Sequence, residues 1–529
     1  MKNRKSTKRA LLGSVMAMVL CLAMLVGATF AWFTDTASTG VNKIQAGKLD
    51  VALEMKEGDS WVSAEGKTLN WVKAAAGEQV LWEPGCTYTL PELRVVNNGN
   101  LALKYKIQIT GIQGDAKLNE VIDWTINDAA IDLTEGHLTA GQQGDAFTIK
   151  GHMKETAGND YQNLTIDGIG ITVYATQDTV EYDSFNNTYD ANAQYPAMPY
   201  VTSHEALNTN LTLADIPTNE ATGKHDPVEV TLGNTEAGDI AYSEHSSGYT
   251  GKGVMLGSTK LNSYAAAPAK AGEYTFVFKN GTINSAAKGY SSIDNLKDTS
   301  VYMLVPGNSD VVFENMTFNG VVSFDIQMYT SPWSYLHSIT FKNCTFNGIV
   351  VGSCPAEKAT FDGCTFNNYT NTTYANNSNP IWWRAGTGYW GTGADESVHS
   401  LKEFTFVNNK VTSTRPVKIE RIGWNCTAGI TILDNTFDIS KQAGDSETKN
   451  MAINIGQKDN TSKFILTDDG NTISAGTASL YTAALGSGSN QYVAVSGSKV
   501  LDRNGNDKVI TAMVWKTTTG ETFEMKTIN

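Results

Sequence analysis

The chain carries one partial match to a zinc-protease motif, and the residue that is missing decides its interpretation. Zinc proteases of the HExxH type place two histidines four residues apart on one helix, with a glutamate as general base. In the string HEALN, residues 204–208, His204 and Glu205 are present, but Asn208 stands where the second histidine is needed. The other histidines are scattered singly. We therefore predict a short helix capped by Ser203, with no metal site.

Acidic and basic residues of the second half could support polysaccharide chemistry. A glycosidase needs two carboxylates roughly 5–10 Å apart, and a calcium-dependent lyase needs clustered acids beside an Arg or Lys base. No signature joins the available residues, and solvated faces explain them equally well. We predict no catalytic residue and leave an enzyme as the alternative; the residues concerned are Asp362, Asp395, Glu396, Glu403, Glu420, Arg384, Arg415 and Arg421.

A second cation motif also lacks a ligand. The string DRNGNDK, residues 502–508, resembles a calcium loop, but Met513 stands at its twelfth position. Calcium loops require a bidentate acid there. We therefore predict an Asn-Gly turn, and no cofactor for the protein.

An aromatic insertion could bind sugars. The string NPIWWRAGTGYWGTG, residues 379–393, is rich in large rings and glycine. Exposed aromatic faces can stack on sugar rings in a groove. The alternative is that these rings cover the hydrophobic core beneath them, as aromatic residues usually do. The carbohydrate-binding hypothesis names Trp382, Trp383, Arg384, Tyr389 and Trp390.

The candidate residues of the second half lie within a sequence repeat, and the fold of this repeat must position them. VVFENMTFNG (311–320), ITFKNCTFNG (339–348) and ATFDGCTFNN (359–368) share one frame, which continues more weakly on both sides. Repeats of this kind predict a solenoid. Stacked coils lie about 4.8 Å apart, so we expect Phe341 over Phe361 and Cys344 over Cys364, with Asn343 at the bend. The frame resembles the right-handed parallel β-helix of the pectate-lyase-like superfamily, over about residues 230–500.

The first part of the chain reads as short strands separated by turns. Residues 42–55 alternate between apolar and polar, and residues 88–112 read as strand, Asn98-Gly99 turn, strand. Asn-Gly is the strongest short signal for a β-hairpin. Further short strands follow up to about residue 177, so we predict a β-sandwich or jelly roll.

A secretory leader precedes these strands. Five basic residues, then a long apolar run, then Thr29 and Ala31 match a signal peptide cleaved between Ala31 and Trp32. The run is also long enough for an uncleaved membrane anchor. Cleavage leaves 35 basic against 54 acidic residues, a net charge of −19, which argues against nucleic acid and anionic membranes as partners. The five cysteines that remain fit no zinc spacing, and we interpret most of them as small buried hydrophobes.

Several blocks of the N-terminal part resemble one family. TFAWFTDTASTGVNKIQAGKLDV, WEPGCTYTLPELRVVNNGNLALKYKI and HMKETAGNDYQNLTIDGIGITVYATQDTVEYDSF occur in this order within residues 1–190. They are similar to the TasA/camelysin family of Gram-positive secreted proteins, which carry SipW-dependent signal peptides. The resemblance implies a jelly roll, a dedicated signal peptidase, a place at the cell surface or in biofilm matrix, and fibres formed by lending an N-terminal strand to a neighbour.

The predicted protein is thus all-β, with a jelly roll followed by a parallel β-helix. Its expected divisions are a signal peptide (1–31), a TasA-like domain (32–190), a linker and capping segment (191–235), the β-helix (236–500) and a C-terminal hairpin or cap (501–529). The expected function is structural or adhesive, with copies of itself, related matrix subunits or polysaccharide as partners. The alternatives are a polysaccharide lyase or glycoside hydrolase and, less favoured, a camelysin-like metalloprotease.

Overall fold

The computed structural model describes most of the chain after residue 47. The described residues are 48–67, 69–72, 80–110, 113–114, 118, 121–130, 135–162, 164, 166–167, 170–178, 193, 195, 198–219, 223–236, 238–242, 249–258, 260–261, 269–290, 300–325, 336–353, 356–384, 401–422, 427–440, 451–457, 463–474, 477, 479–485, 499–517 and 521–528. They form 39 β-strands, one α-helix, and 3-10 helices at Asn159–Tyr161, Leu213–Asp215 and Ala375–Asn377. The expected all-β fold is confirmed.

The first twelve strands build the jelly roll, and every pairing among them is antiparallel. Their sheets have the orders β2-β1-β4, β3-β10-β7-β8, β12-β5-β9 and β11-β6. The strands are β1 (Val51–Glu57), β2 (Ser60–Ser63), β3 (Thr87–Thr89), β4 (Leu93–Asn97), β5 (Leu103–Thr110), β6 (Gln113–Gly114), β7 (Ile122–Ile126), β8 (Ala129–Ala130), β9 (Glu135–Leu138), β10 (Ile149–Met153), β11 (Ile166–Asp167) and β12 (Gly170–Gln177).

The hairpin predicted at Asn98-Gly99 does not form. β4 pairs with β1, whereas β5 pairs with β12 and β9, so the chain crosses between sheets at this turn. The buried amide of Asn97 accounts for the crossing, because its Nδ2 donates to the carbonyls of Leu101 and Thr139 while its Oδ1 accepts from the Gly99 N–H. Gly99 also packs so closely that an added Cβ would lie 2.2 Å from the carbonyl oxygen of Lys48.

The remaining strands form one long sheet wound into coils. It contains β13 (Tyr200–Ser203), β16 (Val228–Glu236), β17 (Gly238–Tyr242), β18 (Tyr249–Gly257), β19 (Thr275–Asn284), β20 (Ser300–Leu304), β21 (Asp310–Glu314), β22 (Thr317–Asp325), β23 (Leu336–Lys342), β24 (Thr345–Ser353), β25 (Ala356–Asp362), β26 (Thr365–Phe366), β27 (Ile381–Arg384), β28 (Glu403–Val407), β29 (Lys410–Ser413), β30 (Val417–Ile422), β31 (Thr427–Leu433), β32 (Thr436–Ile439), β33 (Met451–Gln457), β34 (Lys463–Asp469), β35 (Thr472–Ile473), β36 (Ser479–Leu485), β37 (Lys499–Leu501), β38 (Ile510–Thr517) and β39 (Glu521–Ile528). A separate hairpin joins β14 (Thr218–Asn219) to β15 (Lys224–His225).

Coil stacking follows the predicted frame and gives a parallel β-helix. Thr345 pairs with Thr365, next to Cys344 and Cys364, and Phe341 pairs with Phe361. The two phenylalanine rings lie 4.7 Å apart at an interplanar angle of 13°. The predicted stacking is therefore confirmed, and rings in register fill one continuous core.

The corner between the two strands of each repeat uses two adjacent positions. Asn315, Asn343 and Asn408 have φ values of 54°, 52° and 57°, a left-handed conformation that asparagine tolerates better than most residues. Asn343 thus makes the predicted bend. Side-chain hydrogen bonds to the backbone of neighbouring coils are made one residue later, at positions that include Asn409 and Asn435.

This asparagine ladder runs through Asn409, Asn435 and Asn471. The Nδ2 groups of Asn409 and Asn435 donate to the carbonyls of Phe361 and Phe406, 3.0 and 2.8 Å away. Each Oδ1 accepts a backbone N–H of the preceding coil, as from Asn435 to Asn471 at 3.0 Å. In the two earlier coils the thiols of Cys344 and Cys364 take this position and donate to the carbonyls of Phe313 and Phe341.

The N-terminal end of the β-helix is capped and docked onto the jelly roll. Helix α1 (His204–Thr209) inserts the buried Leu207 into the core of the β-helix. Val201 of β13 packs against the jelly-roll core, and the Gln108 amide of β5 donates to the carbonyl of Pro199. Parallel pairing already includes β13 and β16, which lie in the predicted linker and capping segment.

Candidate functional site

The jelly roll has an open edge at β9. This strand pairs with β5 on one side, with Leu103 opposite Leu138 and Lys106 opposite Glu135. Within the described part of the chain, no strand pairs with its other side. An unpaired edge presents N–H and C=O groups that an incoming strand can satisfy.

A cavity of about 270 Å³ lies beside this edge. It opens between β9, the end of β7 and the segment 142–147. Its apolar lining comes from Ile107, Ile126, Leu138, Ala146 and Phe147, and its polar lining comes from Tyr105, Asn127, His137, Gln142 and Asp145. An edge strand next to a cavity with both apolar and polar lining can receive both the backbone and a large side chain of an added strand.

Gly136 makes room for the Tyr105 ring in the cavity wall, because a Cβ there would lie 2.1 Å from this ring. A Cβ on Gly144 would lie in ordinary contact, 3.7 Å from the hydroxyl oxygen. Burial raises the pKa of the Tyr105 phenol above its usual value, and the neighbouring Asp145 carboxylate adds to the increase. The phenol is therefore a neutral hydrogen-bonding group on the cavity wall.

Side chains hold β9 in place from the β5 side. His137 Nδ1 lies 2.7 Å from Asp178 Oδ2, and the Asp178 side chain is 6% exposed. The Tyr195 hydroxyl donates to Glu135 Oε2 at 2.9 Å, and the Lys104 and Lys106 ammonium groups lie over the Tyr195 ring. These contacts fix the strand without covering its open edge, and sequence reasoning missed them because EGHL has no alternation of apolar residues.

The two described tryptophans of the aromatic insertion, Trp382 and Trp383, lie on opposite sides of the β-helix wall. Trp383 is completely buried in the core. It pairs with Gly352 of the preceding coil, where an added Cβ would lie 2.5 Å from the Trp383 ring. A side chain in this position is part of the packing and offers no ring face to a sugar.

Trp382 lies on the outer side. It packs against a small outer cluster that contains Tyr290, Val321 and Ile349, and the Lys418 ammonium lies 3.9 Å from its ring centroid. By backbone register Arg384 stands opposite Glu420 in the next coil. Tyr389 and Trp390, the other residues of the carbohydrate hypothesis, lie outside the described residues.

Most of the charged candidates that the structure describes hold the fold together. Asp362 accepts a hydrogen bond from Asn408, Glu403 pairs with Lys358 at 2.9 Å, and the buried Arg415 donates to the carbonyl of Thr414. Glu420 and Arg421 lie on β30. Asp395 and Glu396 lie outside the described residues, as do Ala31 and Trp32 of the predicted cleavage site.

Comparison with known proteins finds one similarity, at the N-terminus. Residues 6–58 match the family described as camelysin metallo-endopeptidase. This region is thus similar to the camelysin/TasA family. Proteins of the family are secreted. Searches of curated proteins and of solved structures gave no match. Among the helices that the structure describes, none is long and apolar enough to cross a membrane.

The described residues do not fit the zinc that the camelysin description implies. The matched segment contains no histidine. In HEALN, Ser203 caps α1 by accepting the Ala206 N–H at 3.0 Å, and His204 Nε2 donates to the Met255 carbonyl at 2.7 Å. Asn208 accepts the Gly257 N–H at 2.8 Å. The motif therefore ties α1 to β18, and no group of three potential ligands occurs among the described residues.

The burial of His204 predicts a pH-dependent stability. Burial lowers the pKa of His204 below its usual value, opposed in part by the bond to Met255. The unfolded chain therefore takes up a proton before the folded protein does, so stability should be full above the ordinary histidine pKa of about 6.5 and should fall as the pH decreases below it. Urea denaturation at pH 7.5 and 5.5 should show this loss in the native protein and a smaller loss in His204→Gln. Equal losses in both proteins would contradict this assignment.

Proposed function

We propose that this protein is a secreted structural and adhesive component of the Gram-positive cell surface or biofilm matrix, which assembles by strand donation. A signal peptidase cleaves between Ala31 and Trp32, so that the segment 32–41 becomes a free N-terminus. The segment then completes the jelly roll of a neighbouring copy or of a related matrix subunit. The observation that carries this proposal is the open edge of β9 beside a cavity that both apolar and polar groups line.

The donor segment has the composition that this edge requires. Trp32, Phe33 and Val41 are its large apolar residues, too few to hold it firmly against its own domain. Chain ends are poorly ordered unless they are tied into a sheet. Pairing with β9 supplies backbone partners, and an aromatic side chain entering the cavity buries apolar area against Ile107, Ile126 and Phe147.

Deletion of residues 32–41 from the mature chain should abolish assembly through the jelly-roll edge and leave a folded protein. The measurement is light scattering together with electron microscopy of protein whose N-terminus has been sequenced. A matched acceptor variant is Ala146→Trp, because Ala146 is an exposed residue at the rim of the cavity and a bulky ring there blocks entry.

Mixing the two variants distinguishes strand donation from other contacts. The deletion protein keeps its acceptor edge, whereas Ala146→Trp keeps its donor segment. Each alone should be deficient in assembly at the jelly-roll edge, and together they should form a complex that contains the two variants in equal numbers. A mature native protein that stays monomeric at high concentration and across mildly acidic pH would contradict the proposal.

Glycan binding through the β-helix is the second proposed function. It is supported by the outer position of Trp382, with Lys418 over its ring and Arg384 beside it in the same coil. Lys418 would have to move aside for a sugar to stack on that face. The register of Arg384 opposite Glu420 keeps a polysaccharide lyase or hydrolase as the alternative. Incubating the native protein with plant and host glycans, and scoring both retention and chain cleavage, separates binding from catalysis.

A further inference from the structure

The C-terminal end of the β-helix has open strand edges. β35 pairs with β32 and β37 pairs with β34, each through its parallel neighbour in the preceding coil. β39 pairs antiparallel with β38, from Ile510 opposite Ile528 to Thr517 opposite Glu521. On its other side β37 is met by residues 507 and 508, since Leu501 forms a bridge with Asp507 and the Lys508 N–H donates to the Val500 carbonyl at 2.9 Å. Within the described part of the chain, no strand pairs with the other side of β35 or of β39. Edges of this kind are templates for pairing with another chain.

The core is also incompletely covered at this end. Phe366, Val411 and Phe437 occupy one inward column and are at most 1% exposed, but Ile473, which continues this column, is 42% exposed. Val509, just before β38, is 61% exposed. At the opposite end α1 covers the core. Solenoids usually end in a polar cap, so apolar exposure at one end indicates a contact surface.

The sequence of β39 is complementary to itself. Two identical strands related by a two-fold axis run antiparallel, so an edge strand can pair with its own copy. If the axis passes at Met525, Glu524 stands opposite Lys526 of the second copy, and Lys526 stands opposite the second Glu524. Opposite charges facing each other across strands are favourable, and like charges are not. This register also places Met525 opposite Met525.

We propose that two copies of this chain join at their C-terminal ends about a two-fold axis, with β39 pairing antiparallel to β39 of the second copy. The contact covers Ile473 and Val509 and closes the edge of β39. It is independent of strand donation at the jelly roll, which uses the opposite end of the molecule.

The experiment uses the mature full-length chain with Ala146→Trp, which blocks the jelly-roll edge, and the substitution Met525→Cys. Mild oxidation should join two copies through the cysteines at position 525, identified by mass spectrometry of the linked peptide. The matched control Thr522→Cys, three residues away, should give no such link. Light scattering of the same protein without the cysteine substitutions should show a dimer.

Charge variants test the register. Glu524→Lys alone and Lys526→Glu alone should each weaken the dimer by about tenfold, because each creates two like-charge pairs, and the double variant should restore it. A monomer at all concentrations overturns the proposal. A dimer whose cysteines at position 525 do not link overturns it as well, because the pairing would lie elsewhere. Neither result affects the separate experiment in which the 32–41 deletion protein is mixed with the Ala146→Trp protein.

Discussion

Trp383→Ala should destabilise the β-helix by about 3–5 kcal/mol, the range for removing a large buried aromatic side chain. Trp383 is completely buried, and its ring lies directly on Gly352 of the preceding coil. Neighbouring residues cannot collapse into the space because coils on both sides are fixed by backbone pairing. Thermal and urea unfolding should show the loss as a lower midpoint.

Trp382→Ala is the matched control, one residue away on the outer side. It should change stability much less, while glycan binding should weaken by about 1–3 kcal/mol, by analogy with bases stacked on aromatic side chains. Isothermal titration with the glycan retained in screening measures this loss. A large stability loss for Trp382→Ala with unchanged binding would show that this ring, too, serves only packing.

Asn435→Ala should cost about 3 kcal/mol or more, because it leaves several buried backbone groups without partners at about 1–3 kcal/mol each. Asn435 is 1% exposed. Its Nδ2 donates to the carbonyl of Phe406, and its Oδ1 accepts the backbone N–H of Asn409 at 2.8 Å. The measurement is the free energy of unfolding from urea titration.

Cys364→Asn is the comparison for this ladder. The Cys364 thiol already donates to the Phe341 carbonyl, and its N–H already donates to Asn409 Oδ1 at 2.8 Å. An amide there should extend the ladder by one coil, so stability should be unchanged or higher. If Asn435→Ala proves as mild as a surface substitution, the ladder has no role in stability.

The β-helix can be predicted from the sequence because each coil repeats the residue pattern of the coil on which it stacks. Phe341 over Phe361 follows from a shared frame, and coil-to-coil pairing requires that frame to be in register. The bend at Asn343 was predicted for the same reason. The ladder one residue later was not, because that position holds cysteine in two coils and asparagine in the three that follow. Only their hydrogen bonds to equivalent backbone carbonyls reveal the common role.

The jelly roll and its candidate site depend on long-range contacts that no local pattern encodes. Asn98-Gly99 has the composition of a hairpin, yet the buried amide of Asn97 and the close approach of Gly99 to Lys48 direct the chain to the other sheet. The cavity is lined by residues from β5, β7, β9 and the segment 142–147, which are separated along the chain. Trp382 and Trp383 are adjacent in sequence and chemically identical. Only the alternation of side chains along β27 places Trp382 on the outer side and Trp383 in the core.

Regular coil spacing has a further consequence. One column of the β-helix contains ten described strands, from β13 to β37, and neighbours stand about 4.8 Å apart, so the column is about 43 Å long. Each coil contacts mainly the coils next to it. The gain or loss of one coil would therefore move all the following coils along the axis by one coil spacing. The distance between the docked N-terminal end and the open C-terminal end of the β-helix can therefore change only by whole coils, in steps of about 4.8 Å.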